Sequence, residues 1–485
     1  KILEKMRGEL KQESHRQSFF ESKMGVYKSM VRVCLKLDKV REAYEYVERS
    51  KSRVFIDLLA IQQIFSESVD PKLIEREKEL YFKIIALKSK LEGEDKGIVG
   101  SREVRVRSVE SEESLQRELA QTEAEYSEVL KEIKEKDPEY GSLKTVFTLP
   151  IEEIQEMVKN LEDCILLEYY VTDEKVMVFI LDGETIKVEE IEIASRKLYE
   201  RVSSFLEKIS DPIIKPHIVK SASKALYDLL FSPLDKYIKE KKLVYIVPHS
   251  ILHNLPFSAL SDGEEYLVQK SYTLALCPSG TVLHFCFEKE KGKKLETCLA
   301  VGNPSKDLKF AEEEARYVAS LFSTELLLTD LAIKERVING VEKCNIFHFA
   351  GHGYFNEYNP VYSFLKLAGE EKITVGETFN LNLKMASLVN LSACESGLSE
   401  ISEGDELIGL IRGFIFAGSP SVVASLWQVD DKSTGELMKE FYEKCKNGIN
   451  KAYALKSAKQ SILKKYEHPY YWAAFELNGS YGNSI

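Results

Sequence analysis

Two short stretches constrain this chain most: Phe347-His348-Phe349-Ala350-Gly351-His352-Gly353 and Leu391-Ser392-Ala393-Cys394-Glu395-Ser396-Gly397. Each reads as an apolar strand running into a small-residue turn that carries one reactive side chain. Asn345 to Phe349 and Ser387 to Leu391 are apolar enough to be central strands of a parallel sheet, whose carboxyl ends are where open α/β folds place their chemistry. His352 and Cys394 then meet on one edge. A thiolate is the nucleophilic form of cysteine, and a neighbouring imidazole can carry protons to and from it. On this reading Gly353 turns the backbone tightly after His352 and, with the amide of Cys394, offers two N–H donors to an oxyanion.

Length and composition set the outer limits. The 485 residues exceed one core and imply two or three domains at about 100–200 residues each. A formal charge of −11, with 30% charged and 44% hydrophobic residues, describes an acidic protein that is not held to nucleic acid by phosphate contacts, so direct DNA binding is not expected. The eight cysteines are scattered singly with no Cys-x-x-Cys pair, which fits a reducing, cytoplasmic setting and argues against structural zinc. No apolar run reaches the roughly 18 residues that span a bilayer. The chain begins at Lys1 rather than methionine and is read as a fragment, with any earlier partner-binding segment lying outside it.

The order of patterns divides the chain. From Glu21 to Leu59, Tyr27, Met30, Val31 and Cys34, then Ala43, Tyr46 and Val47, predict two amphipathic helices broken at Leu37-Asp38-Lys39. This hairpin is TPR-like, and one such unit needs neighbours to cover its face; residues 1–68 are assigned to it. Over 69–142, Leu73, Leu80 and Leu87 stand one heptad apart, while Leu115, Leu119, Thr122, Tyr126, Val129 and Ile133 alternate steps of four and three. Two long helices forming an antiparallel hairpin are expected, around a loop near Gly93 to Val109 that holds Arg102, Arg105 and Arg107.

Beyond Gly141 the chain turns strand-rich. Cys164 to Val171, Val176 to Leu181, Thr185 to Val188 and Leu243 to Val247 read as strands, separated by Asp- and Gly-containing turns and by helices near 194–209 and 221–240. From Leu299 onward a βαβ rhythm leads through Glu325–Leu328 into the histidine string, and Phe364–Leu367 with Glu371–Val375 reads as a hairpin along the cleft. Helices follow at Glu406–Ala417, Ser433–Lys446 and Lys451–Lys465, with a strand at Pro420–Leu426.

Other histidines carry less. His249 and His253 are four apart, but Pro256 and the lack of a nearby third ligand argue against a metal, and His217 and His284 show no partner pattern. No metal or cofactor is expected. His348, on a strand, reads as structural.

The two strings, together with Val422-Val423-Ala424-Ser425-Leu426-Trp427-Gln428-Val429-Asp430-Asp431 and Trp472-Ala473-Ala474-Phe475, resemble the CHAT family of the caspase and separase clan. The likeness extends through Ile246-Val247-Pro248, Leu255-Pro256-Phe257-Ser258-Ala259-Leu260 and Val301-Gly302-Asn303-Pro304, over roughly 143–485. It implies an α/β fold: a caspase-like sheet with flanking helices, made of a degenerate half (143–295) and a catalytic half (296–485), preceded by the helical region. It also implies a cysteine endopeptidase with His352 and Cys394 in catalytic roles. Separase resembles the chain around Trp427, where the position of Asp431 helps hold a basic P1 side chain; Asp430 and Glu395 are further acidic candidates, and helix capping is the competing role for Asp430 and Asp431. The same resemblance implies a protein substrate and a regulatory protein or ribonucleoprotein on the TPR-like region, in prokaryotic antiviral (CRISPR-linked) or cell-death defence. The rival from another class is a catalytically silent scaffold that binds partners through its helices.

Overall fold

The computed structural model describes residues 13–60, separate helical positions between 72 and 132, and residues 148–354, 363–395, 406–427 and 429–482. It separates into two compact units, Lys1–Thr148 and Leu149–Ile485.

In the first unit, the helices Glu13–Lys36 and Val40–Ala60 meet where the sequence breaks its period. Asp38 takes a left-handed backbone, φ 58°, a conformation that Asp tolerates better than most side chains, and Lys39 N–H returns to the Cys34 carbonyl at 2.8 Å. Val31, Cys34, Ala43, Tyr44 and Val47 are buried between them; Tyr46 is half-buried, so Tyr44 takes the inner position expected of it. Further along, Arg76 pairs with Glu125 at 3.0 Å and Lys83 with Glu118 at 2.9 Å. One number rises as the other falls, as antiparallel helices require, and Leu80, Leu87 and Thr122 are buried. The loop with Arg102, Arg105 and Arg107 lies outside the described residues.

The second unit is α/β, its described residues forming a thirteen-stranded sheet flanked by helices. In chain order the strands are β1 (Cys164–Val171), β2 (Val176–Leu181), β3 (Ile186–Ile191), β4 (Leu243–Val247), β5 (Thr273–Leu276), β6 (Thr297–Gly302), β7 (Ser323–Leu328), β8 (Ile346–Tyr354), β9 (Phe364–Lys366), β10 (Lys372–Thr374), β11 (Leu388–Glu395), β12 (Ser421–Ser425) and β13 (Phe475–Gly479). Across the sheet they run β7-β6-β8-β11-β12-β13-β5-β4-β1-β2-β3, and the β9–β10 hairpin pairs with the far end of β8. β6, β7, β8, β11 and β12 are mutually parallel. Strands covered on both faces read as continuous apolar runs, which is why β4 and β12 are buried at every position.

β13 joins the two halves of the sheet. It makes five antiparallel register pairs with β12 but one pair, Asn478↔Leu276, with β5. The helix Lys451–Leu463 crosses this thin seam and ties it with buried charge. Lys451 Nζ lies 2.6 Å from Glu290 and donates to the Ser387 carbonyl and Ser421 Oγ; Lys459 Nζ lies 3.2 Å from Glu476 and donates to Ser258 Oγ. Such pairs add little net stability, but losing one partner strands a charge in the core at about 3–5 kcal/mol. They therefore hold the two halves in one register.

The structure departs from the sequence reading at the two reactive strings. Neither chain turns after Phe349 or Leu391: β8 runs on to Tyr354 and β11 to Glu395, so Gly353 is a strand residue and not the tight turn expected of it. Pairing is the reason, because β11 flanks β8 along its length while β6 and then β9 flank its other side, and cross-strand context outweighs the weak strand preference of glycine. Gly351 is needed for closeness, since a Cβ there would sit 3.0–3.1 Å from the Phe349 ring and Pro304.

Candidate active site

β8 and β11 are adjacent and parallel, and their register pairs Asn390 with His348, Ser392 with Ala350, Cys394 with His352 and Glu395 with Gly353. Neighbouring strands stand about 4.8 Å apart. The backbone thus brings His352 and Cys394 side by side at the carboxyl ends of their strands. Ser425 Oγ donates to the Ala393 carbonyl at 2.7 Å, fixing β12 to β11 one residue before Cys394. The side chains of Cys394, Glu395 and Asp431 lie outside the described residues.

His352 is about one-fifth exposed, and its Nε2 lies 3.0 Å from Asp307 Oδ2. Asp307 comes from the loop after β6, which is built to stay in place. Asn303 adopts φ 49°, donates its N–H to the Ala350 carbonyl of β8 at 2.9 Å, and accepts the Leu308 N–H on Oδ1 at 2.9 Å. Burial alone would raise the Asp307 carboxyl, but the Ser305 hydroxyl and the His352 ring beside it outweigh this and hold it below the ordinary carboxylate range. The helix Lys309–Leu321 follows directly and lies close on β6 because Gly302 leaves room for Ala315 and the Ala311 carbonyl.

His348 shares the strand and, by the period of two, the face. It is fully buried: Nδ1 is 3.1 Å from Tyr442 Oη, and Nε2 is 3.2 Å from Glu314 Oε1, within ion-pair distance but poorly aligned for a hydrogen bond. Burial pushes the ionisation of the Tyr442 hydroxyl far out of reach, and Asn390, level with His348 on β11, donates from Nδ2 to Met438 Sδ at 3.0 Å.

The acidic candidates separate. Asp430 is the N-cap of the helix Asp431–Lys446, its carboxylate accepting the Ser433 N–H at 2.9 Å; that carboxylate is committed to the helix end. Asp431 is the first helical residue. Gly353 is paired on both sides, to Glu395 of β11 and Leu365 of β9.

Elsewhere, His249 accepts the Val171 N–H at 3.1 Å and packs on Tyr170. No cluster of three His, Cys, Asp or Glu that could hold a metal ion occurs among the described residues, and no helix among them is long and apolar enough to cross a membrane. Among the described residues, seven cysteines are buried free thiols. Burial pushes Cys164, Cys286 and Cys445 up to about 12, so they stay protonated and unreactive at neutral pH.

Asp307 was not among the residues singled out from sequence. The available signal was its place in a loop just beyond a parallel strand, the edge where such folds gather functional groups.

Several known proteins are similar to this chain. The mouse (Mus musculus) tetratricopeptide repeat protein 28 is 24% identical and covers 96% of this chain, which spans 23% of that protein; its human (Homo sapiens) counterpart is also 24% identical over 96% of this chain, here 22% of that protein. The chain thus spans less than a quarter of the length of these curated relatives. Among solved structures, two of the Saccharomyces cerevisiae separase–securin complex are similar, with TM-scores of 0.48 and 0.45, 12% and 11% identity, and coverage of 96% and 98% of this chain and 45% and 49% of theirs. The CHAT domain matches residues 220–480, more than half of the 485, beginning within the helix Pro216–Leu230 and taking in every strand from β4 to β13. The chain belongs to the CHAT domain family.

Proposed function

We propose that this protein is a cysteine endopeptidase in which Cys394 is the nucleophile and His352 the proton carrier. The observation that carries the reading is the register pairing of these two residues at the carboxyl ends of adjacent parallel strands. In the reaction, the Cys394 thiolate adds to the scissile carbonyl, and the imidazolium of His352 protonates the departing amine, leaving a thioester. Neutral His352 then takes a proton from water, the hydroxide displaces the sulfur, and the products are a carboxylate and the restored thiol. The amides of Gly353 and Cys394 stabilise the oxyanion, each worth about 3 kcal/mol when well aimed. Because Gly353 is paired on both sides, its amide serves only if a bound substrate opens that end of the ladder.

A protein substrate fits a site at the carboxyl ends of β8 and β11, and Asp431 and Glu395 supply negative charge for a basic P1 side chain. The helical first unit, and the relatives named for tetratricopeptide repeats, support control by a docked regulatory protein or ribonucleoprotein. A defence role in prokaryotes follows from the family resemblance and is examined by identifying that partner.

The test is capture of partners on Cys394→Ala, followed by mapping of cuts made when wild type is restored. A discrete cut lost in both Cys394→Ala and His352→Ala supports the reading. Partners that bind wild type and remain whole, with iodoacetamide labelling Cys394 no faster than the buried thiols, would favour the scaffold.

A further inference from the structure

We infer that Asp307 is the positioning residue of this site: it accepts a hydrogen bond from Nε2–H of His352 and so leaves Nδ1 as the ring nitrogen that addresses Cys394. The catalytic consequence rests on the peptidase reading above, whereas the contact itself does not.

The geometry carries the inference. Nε2 and Oδ2 are 3.0 Å apart, and an ionised carboxylate can only accept, so in the neutral ring the proton resides on Nε2. A partner that fixes one ring nitrogen sets both the tautomer and the orientation of the other. Asp307 suits this task because its loop is anchored to the same strand as the histidine, through Asn303 N–H on the Ala350 carbonyl and through Pro304 against Gly351. The carboxylate is therefore positioned by β8 itself and moves with it.

Asp307 lies at one nitrogen of the ring, and the Tyr354 ring centroid is 6.4 Å away. Lys306, the cation next in sequence to Asp307, is engaged by Asp330 at 2.7 Å. Tyr354 itself stacks on Phe364 of β9 at 4.9 Å.

Asp307 is more than half exposed, so its removal should leave the fold intact. The experiment compares wild type, Asp307→Ala and Asp307→Glu, each checked by thermal melting. Nitrogen-15 chemical shifts of the His352 ring, recorded above its titration in a Cys394→Ala background, report the tautomer. The expected result is a protonated Nε2 in the parent, a mixture in Asp307→Ala, and recovery in Asp307→Glu. In proteins that keep the thiol, iodoacetamide should alkylate Cys394 about tenfold more slowly in Asp307→Ala at pH 7, with partial recovery in Asp307→Glu, as expected when a proton-transfer partner loses its orientation. An unchanged tautomer in Asp307→Ala overturns the inference. A tautomer that responds to Asp307→Ala, together with Cys394 alkylation indifferent to His352→Ala, would leave the positioning role standing and remove the peptidase reading instead.

Discussion

His348 and His352 occupy one strand and one face, four residues apart, yet their surroundings give them different work. The imidazole of His348 is sealed under the helices Lys309–Leu321 and Asp431–Lys446, with Glu314 and Tyr442 as neighbours. That of His352 stands just past the edge of this cover, partly open to solvent, with Asp307 at one nitrogen and the Cys394 strand beside it. The same segment of chain supplies both carboxylates, Asp307 before the helix begins and Glu314 within it. Distance along the strand from the covering helices separates a packed histidine from the one proposed to carry protons, since burial removes both the access and the water that hydrolysis needs.

The sharpest way to break this contrast is to exchange the two phenotypes. His352→Ala is expected to lower substrate cleavage about 10²–10⁴-fold, the contribution of a general acid–base group, while the melting temperature stays within a degree or two. His348→Ala should do the opposite through a cavity and a stranded Glu314, losing about 2–4 kcal/mol in urea unfolding. If His348→Ala proves as stable as wild type but inactive, the division of labour drawn here is wrong.

A finer cut concerns how His348 is held. Tyr442→Phe deletes the hydroxyl that meets His348 Nδ1 and leaves that buried nitrogen short of a partner, so a loss of about 1–2 kcal/mol is expected. Glu314→Gln keeps shape but removes charge, and a double-mutant cycle with His348→Ala should return a coupling of about 1 kcal/mol or more. Additive effects would mean that the two side chains merely pack.

Much of the second unit was legible in the sequence because its strands are long apolar runs bounded by turn residues. Leu243–Val247 begins and ends where the pattern places it, and Cys164–Val171 and Val176–Leu181 likewise. The seam was not legible: β5 and β13 are short, and Phe475-Glu476-Leu477-Asn478-Gly479 mixes charge and glycine into a buried strand, tolerated because Glu476 meets Lys459 from a helix crossing the sheet. Nor could local pattern show that β8 and β11 continue through Gly351, His352 and Cys394, since that outcome depends on strands pairing from distant parts of the chain. The carboxylate beside His352 escaped for a related reason, being 45 residues upstream and joined to it only by the adjacency of β6 and β8.

The same distinction between a structural residue and one proposed for chemistry recurs at Asp430 and Asp431, and here the expected effects are smallest. Asp430 closes the first turn of its helix through the Ser433 N–H, so Asp430→Ala should cost about 1 kcal/mol and leave the choice of cleaved peptide unchanged. Asp431 belongs to the first turn without being the cap; Asp431→Asn forfeits only a helix-dipole contribution of a few tenths of a kcal/mol but should weaken a preference for Arg or Lys at P1 about tenfold. Thermal melts and cleavage of a peptide library read the two quantities separately. Selectivity that shifts in Asp430→Ala and holds in Asp431→Asn would reverse the assignment, because a carboxylate already satisfied by a helix end has little left to offer a substrate cation unless that end unwinds when substrate binds.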